Sequence, residues 1–159
     1  MDPPGARTCW IDDETPGHGG VYEYATLADG SQPFAAEMVS EMARYHPNVA
    51  RLLREEIKDK LQDGSLGRLV YGPGQECDVE HMQCTNTILE IRLTTQYGDN
   101  PLQRLCTRIY FNEPCAIDGA IRLVSVATKH PDTHTSAEQT AHARGAEDRL
   151  HDASGWFTT

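Results

Sequence analysis

The spacing of apolar and polar positions changes along the chain, and each change marks an element. Val21-Tyr22-Glu23-Tyr24-Ala25 alternates and is rich in β-formers, which predicts a strand over 21–25. Asp29-Gly30-Ser31-Gln32-Pro33 is turn chemistry, with Gly30 free to take positive φ and Pro33 suited to a first helical turn. Over 34–45 the period becomes helical, presenting Phe34, Met38 and Met42 on one face. His46-Pro47 interrupts it, because the residue before proline is pushed out of the α region. A second helix is predicted over 48–62, capped by Asn48 and burying Val49, Leu52, Leu53, Ile57 and Leu61. Asp63-Gly64 supplies its stop. The two helices form an αα-hairpin.

Residues 66–71 read as a short strand or extended lead-in, and Gly72-Pro73-Gly74 as a loop. Residues 88–93 then set Leu89, Ile91 and Leu93 against Glu90 and Arg92, in period two. Residues 105–111 set Thr107, Ile109 and Phe111 against Arg108 and Tyr110, and 121–127 is a third apolar run. Turns at Tyr97-Gly98-Asp99-Asn100-Pro101 and Ile117-Asp118-Gly119 link the three into an antiparallel meander. A polar helix over 136–151 follows, with Ser136 as cap and Glu138 in its first turn. The expected fold is α+β: an N-terminal strand and helical hairpin packed on an antiparallel β-meander, with a C-terminal helix. Since Arg92 and Arg108 alternate with core-facing neighbours, they are predicted on one face of adjacent strands. Lys129 and His130 are predicted to leave the third strand at one end of that sheet, close enough to converge with the arginines.

Composition sharpens this picture. A length of 159 residues fits one domain. Residues 1–20 hold Pro3, Pro4 and Pro16 among acids and glycines, and read as a mostly flexible tail that Trp10 could anchor to the core. The domain is expected over 21–151, with 152–159 as a C-terminal tail. No run of 18 apolar residues exists, and 1–20 lacks the basic start and apolar stretch of a signal peptide. A cytoplasmic location and no membrane partner are expected.

Five cysteines, odd in number and irregularly spaced, do not read as a secreted disulfide framework. Cys77, His81 and Cys84 could ligate zinc if Cys106 or Cys115 joined them, but the usual Cys-x₂-Cys knuckle is missing. The reading adopted is free cysteines behaving as small apolar residues, with no metal and no cofactor.

Charge weighs against general nucleic-acid binding. Lys and Arg total 14 against 24 Asp and Glu, a net charge of −10. Residues 64–135 are the least acidic stretch, with 8 acids and 6 bases, so a local basic site remains open there.

Several phrases give the chain a family likeness. The opening strand with its glycine turn, the helical pair, and the lead-in Gln62-Asp63-Gly64 are three of them. The strand phrase Leu89-Glu90-Ile91-Arg92 and the phrase Arg108-Ile109-Tyr110-Phe111 are two more. With the polar turn after Val124, they make residues 21–150 resemble the RelE/ParE toxin superfamily, most of all its phage-derived HigB-like branch. The resemblance implies a RelE-like fold and a metal-independent mRNA endonuclease working free or on the ribosome. It also implies neutralisation by an antitoxin protein or another protein partner.

Such cleavage needs a base, an acid and a cation as a 2′-hydroxyl attacks the adjacent phosphate. On the matching strands the resemblance assigns Arg92 and Arg108 as phosphate clamps, Lys129 as cation, and His130 and His134 as proton-transfer groups. Tyr110, as a stacking ring, and Arg68 are the substrate-binding candidates. The chain departs from the family's basic pattern: the loop 75–83 carries Glu76, Asp78 and Glu80 with no base but His81, and the last helix is acidic. A second expectation is therefore a catalytically inactive relative acting as an acidic protein-binding module. In that reading Glu90, Arg92 and Arg108 are a structural cross-strand ion cluster.

Overall fold

The computed structural model describes residues 21–65, 69, 78–81, 88–112, 120–130 and 136–152. The expected tail at 1–20, all but the first residue of the expected tail at 152–159, the loop Gly72-Pro73-Gly74 and most of the lead-in at 66–71 lie outside these residues; Asp152 belongs to the last helix. The elements run β1 (Val21–Tyr24), α1 (Pro33–Met42), α2 (Pro47–Ser65), β2 (Val79–His81), β3 (Leu89–Gln96), β4 (Arg104–Asn112), β5 (Ala120–Lys129) and α3 (Ser136–Asp152). The fold is α+β, with a mixed sheet ordered β1-β5-β4-β3-β2 and three helices among the described residues. None of those helices is long and apolar enough to cross a membrane.

The meander β3-β4-β5 is antiparallel, as its alternation and turns require. Two pairings extend it beyond what local pattern reveals. β2 lies antiparallel to β3 inside a stretch read as loop; its three residues, among them the buried Val79, are too short to display a period. β1 pairs parallel to β5, joining chain segments about a hundred residues apart. Neither contact has a sequence-local signature.

Helix boundaries moved for local reasons. α2 starts at Pro47, and His46 Nδ1 accepts the Asn48 backbone N–H at 3.2 Å, so His46 takes the capping role expected of Asn48. α2 also runs through Asp63-Gly64 to Ser65, whose hydroxyl donates to the Gln62 carbonyl at 2.7 Å. Gly64 does not stop the helix; it lets it approach the core. A Cβ there would lie 3.2 Å from Leu69 Cδ1 and 3.6 Å from Ile121 Cδ1.

The sheet separates two cores. On one face the hairpin buries Phe34, Leu53, Ile57 and Leu61 against Ile91, Ile109, Phe111 and Leu123. On the other, α3 lays Ala143 and Ala146 over Ile88, Tyr110 and Val124. Val124 is a bulge: Leu123 pairs with Phe111 and Ser125 with Tyr110, which leaves Val124 between them. One extra residue inverts the alternation beyond it. Val126 therefore returns to the hairpin core, and Ser125, Ala127 and Lys129 share the face of Arg108 and Tyr110.

β1 covers β5 only as far as Leu123. Beyond that point α1 stands at the strand. The Arg44 guanidinium donates to the Thr128 carbonyl at 3.1 Å, the Thr128 hydroxyl donates to Glu41, and the Ser125 hydroxyl donates to Glu37 at 3.1 Å. Covering a strand edge this way keeps it from pairing with another chain.

Gly30, in the turn before α1, has φ +85° and open space around its α-carbon. Gly30→Ala is expected to lower stability by about 1 kcal/mol through backbone strain alone. Chemical denaturation should show it as a shifted midpoint with an unchanged slope.

Candidate functional site

The register places Arg92 directly opposite Arg108, and Glu90 opposite Tyr110, on the α3 face of the sheet. Lys129 lies opposite Cys106, one diagonal step from Arg108 on that same face. Three of the predicted cations therefore do share a surface. What they contact is carboxylate. Arg108 Nη1 lies 2.7 Å and Arg92 Nε 3.1 Å from the same oxygen of Glu90, Oε1. The Glu90 side chain is completely buried. Arg92 also pairs with Glu80 of β2, and Lys129 with Glu138 of α3.

This arrangement satisfies the charge locally. A carboxylate removed from water needs cationic partners, and a guanidinium pair meets that need as it would meet a phosphate. Glu90 thus takes up the two clamps from within the fold. Arg108 Nε is buried and has no hydrogen-bond partner among the described residues.

The remaining candidates are dispersed. Tyr110 is fully buried beneath α3, its ring edge-on to His142 at 6.2 Å, and offers no face to a base; this corrects the expectation that it stacks on substrate. His130 is exposed and edge-on to Tyr97 at 6.4 Å, a ring packed on the hairpin core. It lies one residue past Lys129 and turns to the other side of the sheet, so its expected convergence with the arginines is corrected as well. His134 and Arg68 lie outside the described residues, as do Cys77, Cys84 and Cys115. Cys106 is half-buried on β4, and His81 is described by its backbone pairing in β2. Among the described residues no three His, Cys, Asp or Glu side chains are grouped to hold a metal.

Sequence reading did not single out His142. It sits where α3, β4, β5 and α1 meet, and its proton affinity is lowered chiefly by burial, then by Lys129, against the opposing pull of Glu37 and Glu41. Its neighbour Glu37 accepts hydrogen bonds from Ser125 and Arg149, so α1, β5 and α3 join through one carboxylate.

A second feature lies across the molecule. An open groove of about 490 Å³ runs between α1 and α2, lined by Met38, Val39, Met42, Pro47, Ala50 and Arg54 among others.

Compared with known proteins, the chain matches no family model, no curated protein and no solved structure.

Two outcomes follow from the ion cluster. Glu90→Ala should cost about 3 kcal/mol in denaturant titration, because it removes the buried carboxylate that Arg92 and Arg108 share, and with it the ion pair of the part-buried Arg108. Glu80→Ala, at the surface, should cost well under about 1 kcal/mol. For His142 the sign is set by its lowered pKa: folding favours the neutral ring, so stability is complete above about 6.5, the ordinary value. As pH falls below that, the unfolded chain takes up the proton first and stability declines. Thermal melts at pH 7.5 and 5.5 should show this decline, and His142→Gln should shrink it. Asp29, whose carboxyl is held below its usual value of 3.8 by the Ser31 hydroxyl and backbone, contributes in a separate, more acidic window.

Proposed function

We propose that the chain is a RelE/HigB-like fold without a working nuclease centre, which acts by binding a protein partner. The observation that carries this reading is Glu90, a fully buried carboxylate holding both candidate clamp arginines. For Arg92 and Arg108 to grip RNA, two guanidiniums would have to leave a buried anion, which costs several kcal/mol before any phosphate is bound. Lys129 is likewise engaged, and of the rings expected to stack or move protons Tyr110 is buried and His130 is turned away. A net charge of −10 offers few cations to neutralise the many phosphates of a nucleic acid and suits contact with protein instead.

The metal-independent endonuclease remains as the second reading, favoured by the shared face of Arg92, Arg108 and Lys129. In it, substrate would displace Glu80 and Glu138, whose side chains are 33% and 45% exposed. The two readings separate on RNA. Under the proposed reading, purified protein leaves single-stranded RNA and ribosome-bound message intact, with or without chelator, and its expression alone does not arrest bacterial growth. Products ending in 2′,3′-cyclic phosphate, reduced about a hundredfold by Arg108→Ala or Lys129→Ala, would establish the nuclease in its place.

A further inference from the structure

The groove between α1 and α2 has a chemical asymmetry that identifies what it fits. Its floor is apolar and firm: Met42 and Ala50 are almost wholly buried parts of the hairpin core. Its rim is apolar and bare, with Val39 73% exposed on α1. Met38, partly buried beside that floor, adds a side chain that can reshape around an inserted group. Across from them, on α2, stands Arg54.

Arg54 differs from five of the nine described arginines. Arg44, Arg92, Arg108, Arg122 and Arg149 each pair with a carboxylate of the same chain. Among the described residues, Arg54 and its helical neighbour Arg51 make no ion pair, and both are exposed. Arg104 and Arg144 are also without one, but stand apart from the groove's lining. An acidic chain that satisfies five arginines internally leaves an unsatisfied one on the wall of an apolar groove.

Resting on the protein-binding reading, we infer that this groove docks an amphipathic helix of another protein, with apolar anchors on one face and a carboxylate placed to meet Arg54. A volume near 490 Å³ lies within the roughly 300–1,000 Å³ of ordinary binding clefts and takes a few side chains. Anchors spaced i, i+3/4 and i+7 are how a helix fills such a groove. The guanidinium fork grips a carboxylate in two places and so fixes the helix direction. The overall acidity does not cancel this preference, because charges beyond about 8 Å are largely screened at physiological salt.

The test uses the full chain and two labelled helical peptides of one design, leucines at i, i+4 and i+7, flanked by glutamates in one and by lysines in the other. Fluorescence anisotropy should show the glutamate peptide binding more tightly. Arg54→Glu should weaken it at least tenfold and reverse the preference toward the lysine peptide. Val39→Asp, at an exposed position that leaves the core intact, should weaken both. Three results overturn the inference: no binding of the glutamate peptide, equal or better binding of the lysine peptide, or binding indifferent to both substitutions. A fourth is a glutamate peptide that gains tenfold on Trp10→Ala, which would give the groove to the chain's own N-terminal residues. Preference for the lysine peptide would sink the acidic partner while leaving a protein-binding role intact, and RNA cleavage is scored separately from both.

Discussion

A carboxylate stripped of water must be met by cations, and at Glu90 that requirement organises one whole face of the sheet. Its β-strand position puts it opposite Tyr110, inside the layer that α3 covers. Arg92, two residues along, and Arg108, on the neighbouring strand, are the groups within reach, and both turn inward to its Oε1. Arg92 then carries the network outward to Glu80, which ties the three-residue strand β2 to the meander through side chains as well as backbone. Isolated surface ion pairs contribute little, but a pair with one member fully buried cannot be broken cheaply. The guanidiniums expected to clamp a ligand instead hold the sheet together.

The other organising device is the treatment of β5. β1 shields only its first part; Glu41 and Glu37 of α1, and Arg44 just past its end, shield the remainder by bonds to Thr128 and Ser125. Glu37 also receives Arg149 from α3. One helix thus closes a strand edge and links the layers on both faces of the sheet.

Much of this was legible in the residues. Alternation in β3 and β4 placed Arg92 and Arg108 on one face, because Leu89, Ile91, Ile109 and Phe111 have no other place to be buried. The acidic loop and acidic last helix already signalled that a basic site was compromised. What escaped depends on distance in sequence or on packing. The adjacent apolar pair Leu123-Val124 hides a bulge, and only the strand partner shows which residue is extra. That bulge decides that Lys129 joins the arginines while His130 does not. Glu138 as the partner of Lys129 required knowing where α3 docks. The burial of Tyr110 was missed because α3 looks polar: alanine covers a ring closely while adding little to a hydrophobic pattern.

That last point makes the two layers unequal. The hairpin is held by large side chains, Phe34, Leu53, Ile57 and Leu61, none more than a few per cent exposed. The described contacts of α3 are two alanines, the ring of His142, and ion pairs from Arg149 and Glu138 whose members reach solvent. Burying a leucine or phenylalanine is worth roughly 1.5–3 kcal/mol, and an exposed ion pair typically under about 1 kcal/mol. By the described contacts, the hairpin is therefore the more rigidly packed side, and α3 is held more by interactions that salt and pH weaken. A recognition groove gains from rigid walls, because less is lost in ordering them on binding. The groove between α1 and α2 is built on that rigid side, whereas the cations of the sheet face lie under the more weakly held layer.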